Sequence, residues 1–165
     1  MNDILDFKNP VRGWHFTADP HKFAHGGRTI PEDNRWLVVP KPVSICNYGL
    51  HFSKRPIDSL QYAPGQFVFL VEAAGVSESD NKCVARARRI VSRADATSVL
   101  RTFARSCASD VLHLWEAPQV VRNYLATGDE TIRAAAGAAA WAAAWDAAWD
   151  AKNIKLEKML MEIVK

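Results

Sequence analysis

NYGLHFSKRPIDSLQYAPGQFVFLVEAAG, residues 47–75, reads as a turn, a short strand, a short helix, a second turn and a buried strand. Gly49 opens a strand in which Leu50 and Phe52 are apolar while His51 and Ser53 are polar, the alternation of a half-buried strand. Pro56 suits the first turn of a helix, where a missing N–H costs nothing. Ser59 and Tyr62 then stand three residues apart on one helix face. Pro64-Gly65 ends that helix, and Phe67 to Val71 is an apolar run of central-strand length. The spacing brings His51, Ser59 and Tyr62 to one end of a single strand–helix unit, as one wall of a candidate pocket.

Upstream, Arg12 to Thr17 alternates and carries β-formers, so it reads as a strand with His15 and Thr17 on one face. Asp19 to Pro31, rich in Gly, Pro and His, reads as a loop. His21 and His25 have helical ligand spacing, but nothing nearby supplies a third ligand, so no metal is expected. Arg35 to Val39 reads as a second short strand, ended by Pro40-Lys41-Pro42, which removes two ladder donors.

Downstream, Val76 to Asn81 reads as a polar turn and Lys82 to Arg93 as a long strand. Val84, Arg86, Arg88 and Ile90 would share one side of it, and Cys83, Ala85, Ala87, Arg89 and Val91 the other. Asp95 is a good N-cap for a helix whose buried stripe would be Val99, Leu100, Phe103 and Cys107. Val111 to Trp115 is too short for periodicity to decide between helix and strand. Pro118 starts another helix, with Val121, Tyr124 and Leu125 buried and Gly128 as its stop. Thr127 to Glu130 fits a capping box, so a further helix follows and the two form a hairpin.

That last helix is expected to run from Asp129 nearly to Lys165, carried by the helix propensity of its alanines. Trp141, Trp145 and Trp149 recur every four residues, so the stripe they form spirals slowly around the axis. The rings either pack against the body of the protein or present a docking surface, since Trp is favoured in binding hot spots.

At 165 residues the chain is expected to form an α+β core over residues 1–116 and a helical hairpin over 117–165 packed on it. No strongly apolar span long enough for a membrane is present, because the alanine-rich tail is weakly hydrophobic and interrupted by charge. The acidic, mixed N-terminus does not look like a signal peptide. Cys46, Cys83 and Cys107 have no metal-type spacing and read as reduced core cysteines of a cytoplasmic protein. The net charge of +3 is uneven: Lys82, Arg86, Arg88, Arg89, Arg93, Arg101 and Arg105 face only Asp95 in their stretch. Clustered Arg favours phosphates or acidic protein surfaces, or it is simply a solvated face.

Gly49-Leu50-His51-Phe52-Ser53 resembles the second core strand of the ADP-ribosyltransferase superfamily, particularly its poly(ADP-ribose) polymerase branch. Ser59-Leu60-Gln61-Tyr62 matches that family's Ser-x-x-Tyr helix, His15-Phe16-Thr17 its His-x-Thr strand, and Glu72 to Gly75 is one residue shorter than its Glu-x-x-x-Gly. The resemblance covers residues 12–93 and implies a small mixed or antiparallel sheet binding NAD or a related nucleotide. It implies that His15 bonds a ribose hydroxyl, with Thr17 beside it. Ser59 would hold the nicotinamide amide, Tyr62 would stack on the ring, and His51 would replace a stacking tyrosine. His15 and His51 are the residues it points to for catalysis.

Arg88 stands where the family places its catalytic glutamate. A guanidinium there repels the oxocarbenium-like charge that a carboxylate stabilises, so the resemblance implies an inactive protein or an altered chemistry. Glu72 and Glu116 are the other acids considered, without a spacing argument. Arg86 and Arg88 suit phosphate, and the similar scaffold of RNA 2′-phosphotransferases also uses arginines and histidines. As an alternative, the same side chains serve structure: core histidines, an exposed serine and a core tyrosine.

The whole chain is also similar to an uncharacterised family of phages and bacteria. That likeness implies an inhibitor or interaction protein, bound to a host defence or nucleic-acid-processing complex through the Arg-rich face or the Trp helix. Nucleic acid itself is less favoured, because the basic run has no aromatic residues interleaved with it.

Overall fold

The computed structural model describes residues 5–23 and 29–143, and within them the fold is α+β with a five-stranded antiparallel sheet. In chain order the elements are β1 (Val11–Thr17), β2 (Leu37–Val38), β3 (Leu50–Phe52), α1 (Pro56–Leu60), β4 (Phe67–Ser79), β5 (Lys82–Asp95), α2 (Thr97–Asp110) and α3 (Gln119–Thr127). Short 3-10 turns cover Leu112–Leu114 and Glu130–Ile132, and residues 133–143 are helical. The chain forms two compact units, Met1–Ser98 and Val99–Lys165. The segment holding His25, and that holding Trp145 and Trp149, lie outside the described residues.

In the first unit the sheet order is β1-β4-β5-β2, with β3 pairing the same β5 strand further along. β4 continues well past Val71, so Val76 to Ser79 is strand, and the turn expected there shrinks to Asp80 and Asn81. Asp80 takes φ 50, a conformation aspartate tolerates in tight turns. Leu70 pairs Ser92 while Val71 pairs Ile90, so Val91 is the extra residue of a β-bulge. Beyond it the faces of β5 exchange, and Arg93 comes round to Phe69, with its guanidinium 5.5 Å from that ring.

The far edges of the sheet meet. Trp14 and Ser53 exchange backbone bonds of 2.7 and 3.0 Å, joining β1 to the end of β3. Phe52, Phe69, Val71, Ala73, Cys83, Ala85 and Ile90 fill the core beside Ile30. Full burial of one such aromatic or branched side chain contributes about 1.5–3 kcal/mol.

At the end of the first unit, Asp95 lies just ahead of α2 and its carboxylate takes the Thr97 amide at 2.8 Å. No residue of α2 is buried: Val99 is 66% exposed and Phe103 45%, so the expected buried stripe faces outward. Val121 of α3 is buried beside Ala117 and Ala136, with Tyr124 and Leu125 partly buried against them. Gly128 ends α3 at φ 70, its N–H bonded to the Tyr124 carbonyl at 2.8 Å. Asp129 caps the next turn through the Thr131 amide. Of the cysteines, only Cys83 is buried; Cys46 and Cys107 are exposed thiols, not core residues.

Candidate functional site

His15 and Arg88 share one face of the sheet, and Arg88 reaches the backbone of His51. Val11 pairs Ala73, and Ala73 pairs Arg88, so the odd-numbered positions of β1 lie on the Arg88 face. His51 pairs Val84 on β5, and the next residue of its strand, Phe52, packs in the core with Val71 and Ile90. Phe23 and Phe69 flank His15 at ring distances of 6.4 and 6.3 Å. Enclosure of its ring holds the imidazole well below its ordinary pKa, and the nearby Arg88 and His51 push it the same way. Neutral His15 is therefore the stable form.

Arg88 is only 5% exposed. It donates from Nη1 to the His51 carbonyl oxygen, and its guanidinium lies 5.5 Å from the Phe23 ring centre. Burial lowers its pKa to about 10, so it remains a cation at neutral pH. Among the described residues no carboxylate forms an ion pair with it. Arg93, on the same face, is fully engaged by Asp33 and by the Pro20 and Pro31 carbonyls. His51 uses Nε2 to accept the Cys46 amide at 3.1 Å.

The other expected site residues do not join this cluster. Ser59 is buried, and its hydroxyl donates to the Trp14 carbonyl at 2.9 Å. Thr17 is fully buried and donates to the Asp19 carbonyl at 2.6 Å. Tyr62 is 48% exposed, bonds Asn81 at 2.7 Å and carries the Lys82 ammonium 3.7 Å from its ring centre. Arg86 has a buried Nε without a partner among the described residues. Glu72 lies on the opposite sheet face, bonded to Arg12 and Arg89, and Glu116 is an exposed residue of the second unit. Glu72, on that other face, is no substitute beside Arg88.

An open cleft of about 620 Å³ lies at the turn end of the β4–β5 hairpin, lined by Lys54, Arg55, Asp58, Glu78, Asp80 and Asn81. Its charges pair internally, Lys54 with Glu78 and Arg55 with Asp58. Beside Arg88 the free space is about 10 Å³, between Phe23, Pro31, Arg35, Leu37 and Ile90. Among the described residues no group of three or more His, Cys, Asp or Glu could hold a metal ion, and no helix is long and apolar enough to cross a membrane.

Residues 25–102 match a family described as a domain of unknown function (DUF7666), a span that holds β2 to β5 and not β1. No curated protein and no solved structure matches the chain.

Proposed function

We propose that the sheet is a nucleotide-binding domain of ADP-ribosyltransferase-like type that lacks the glutamate-dependent transfer step and holds its ligand by phosphate. The observation that carries this reading is Arg88: a buried guanidinium with no carboxylate partner among the described residues. Burying a cation without an anion is costly, and a phosphate supplies the missing charge with matching fork geometry. Arg35 lines the same small space and offers a second cation at its rim. Entry requires Phe23 to move from over the guanidinium, since the space present is of about one water's size. Neutral His15 accepts or donates one bond to a ribose hydroxyl. Ser59 and Tyr62, spent on Trp14 and Asn81, leave nicotinamide without its expected partners.

The test is a thermal-shift series with inorganic phosphate, AMP, ADP-ribose and NAD. A ligand at about a hundredfold above its Kd stabilises by about 2.7 kcal/mol. Phosphate-bearing ligands should raise Tm, NAD no more than ADP-ribose, and Arg88→Met should abolish the shift. No shift with any of the four ends this reading.

A second reading, an interaction protein, is favoured by the second unit. There Val99, Phe103, Leu114 and Trp141 are exposed, Trp141 to 71%. A partner recovered at equal stoichiometry and lost with Phe103→Ala and Trp141→Ala would support it.

A further inference from the structure

On the sheet face opposite Arg88, one row of side chains crosses three strands and ends on the residue before β2. Arg12 pairs Glu72, Glu72 pairs Arg89, and the pairing of Leu37 with Arg88 sets Trp36 beside Arg89. The Arg89 guanidinium lies 5.1 Å from the Trp36 ring centre, and Phe7 meets Trp36 edge-on at 4.7 Å. Glu72 is buried and accepts from Arg12 Nε at 3.0 Å and from Arg89 Nε and Nη2 at 2.9 and 2.6 Å. Two guanidiniums against one carboxylate leave the row with a surplus positive charge. Both terminal nitrogens of Arg12, and Nη1 of Arg89, remain without a partner among the described residues. The Arg12 side chain is 69% exposed and Phe7 43%.

We propose that this row binds single-stranded nucleic acid. Glu72 fixes both guanidinium planes before any ligand arrives, so the outer N–H groups are preorganised for a phosphate. Trp36 and Phe7, at the end of the row, offer ring surface for an unpaired base, the combination of cation and stacking platform that such strands use. A duplex keeps its base faces stacked inside and cannot use the rings. The aromatic members come from residues 7 and 36, far in sequence from the basic run, and only the register of β2 on β5 brings them to it. An acidic peptide would satisfy the arginines and leave the rings idle.

Fluorescence anisotropy of the full chain with a labelled oligothymidylate of about a dozen nucleotides tests this. Binding should appear at low salt and weaken as salt rises, with Arg12→Gln reducing the log–log slope by about 0.7. Trp36→Ala should weaken binding by about tenfold or more. If Trp36→Ala fails to fold by circular dichroism, Phe7→Ala takes its place. Absence of binding at low salt, equal affinity for duplex, or unchanged affinity in both the arginine and the aromatic variants overturns the proposal. Displacement by polyglutamate with no effect of the aromatic variants reassigns the row to acidic protein and overturns it equally.

Discussion

Gly13 lies directly against the Phe52 ring: a Cβ on Gly13 would stand 2.3 Å from Cδ2 of Phe52 and 2.6 Å from the Ser53 carbonyl oxygen. The close approach is what lets β1 reach the end of β3 and exchange the two bonds between Trp14 and Ser53. Gly13→Ala must push Phe52 out of the core or break the Trp14–Ser53 pairing. Overpacking of this kind costs about 1–3 kcal/mol. Urea denaturation should show the midpoint falling accordingly, and a midpoint equal to that of the parent would mean that the join between β1 and β3 is not tight.

Arg88 makes the opposite prediction. Its cation is buried against a carbonyl and an aromatic face. Replacing a buried charge with a hydrophobic side chain of similar length is often neutral or stabilising. Arg88→Met should therefore raise the stability of the ligand-free protein, by about 1 kcal/mol, while removing phosphate binding. A loss of several kcal/mol in the ligand-free protein would show that Arg88 is structural, and would count against the phosphate reading.

Most strands of the sheet were legible because each carries its own signal: alternation in β1 and β3, an apolar run in β4. The end of β4 was not. Val76 to Ser79 is polar because it approaches the hairpin turn, and polarity alone does not separate an exposed strand from a loop. The bulge at Val91 has no residue signature, since it depends on how two strands align, so the expected alternation failed beyond Ile90 and Arg93 changed face. The nearness of His15 to Arg88 depends on how β1, β4 and β5 align, which spacing along the chain does not give. Ser59 is expected on the pocket wall, but its hydroxyl is taken by a backbone carbonyl 45 positions away, a bond that spacing cannot reveal. The stripe of α2 had the right period, but periodicity gives the face and not what covers it.

That Ser59 bond is itself measurable. Its hydroxyl is buried against the Trp14 carbonyl, between α1 and the strand that closes the sheet. Ser59→Ala removes one of two donors to that carbonyl, which keeps the Ser53 amide, at a cost of about 0.5–1.5 kcal/mol. Ser59→Cys, with a weak donor of similar size, should recover part of the loss. If Ser59→Ala is instead neutral in stability and lowers ligand affinity, the hydroxyl belongs to a binding site after all.

The pH dependence of stability follows from His15 and Glu72. The folded pKa of His15 is depressed by enclosure and by Arg88 and His51. The unfolded chain therefore takes up a proton on this side chain, below about pH 6.5, before the native state does. The stability it contributes is complete above that pH and is lost as pH falls toward the folded pKa, with a limiting slope of about 1.4 kcal/mol per pH unit. Glu72 is depressed chiefly by its bonds to Arg89, with burial opposing and the Arg12 bond adding to the depression, so its contribution is present above about pH 4.5 and fades only below it. Denaturation midpoints from pH 7.5 to 5 thus separate the histidine from Glu72. The parent should weaken steadily across that window, His15→Gln should flatten the profile, and Arg88→Met should reduce the slope by relieving part of the repulsion. An unchanged slope in His15→Gln would assign the titration to another group and remove the case for a neutral His15 beside Arg88.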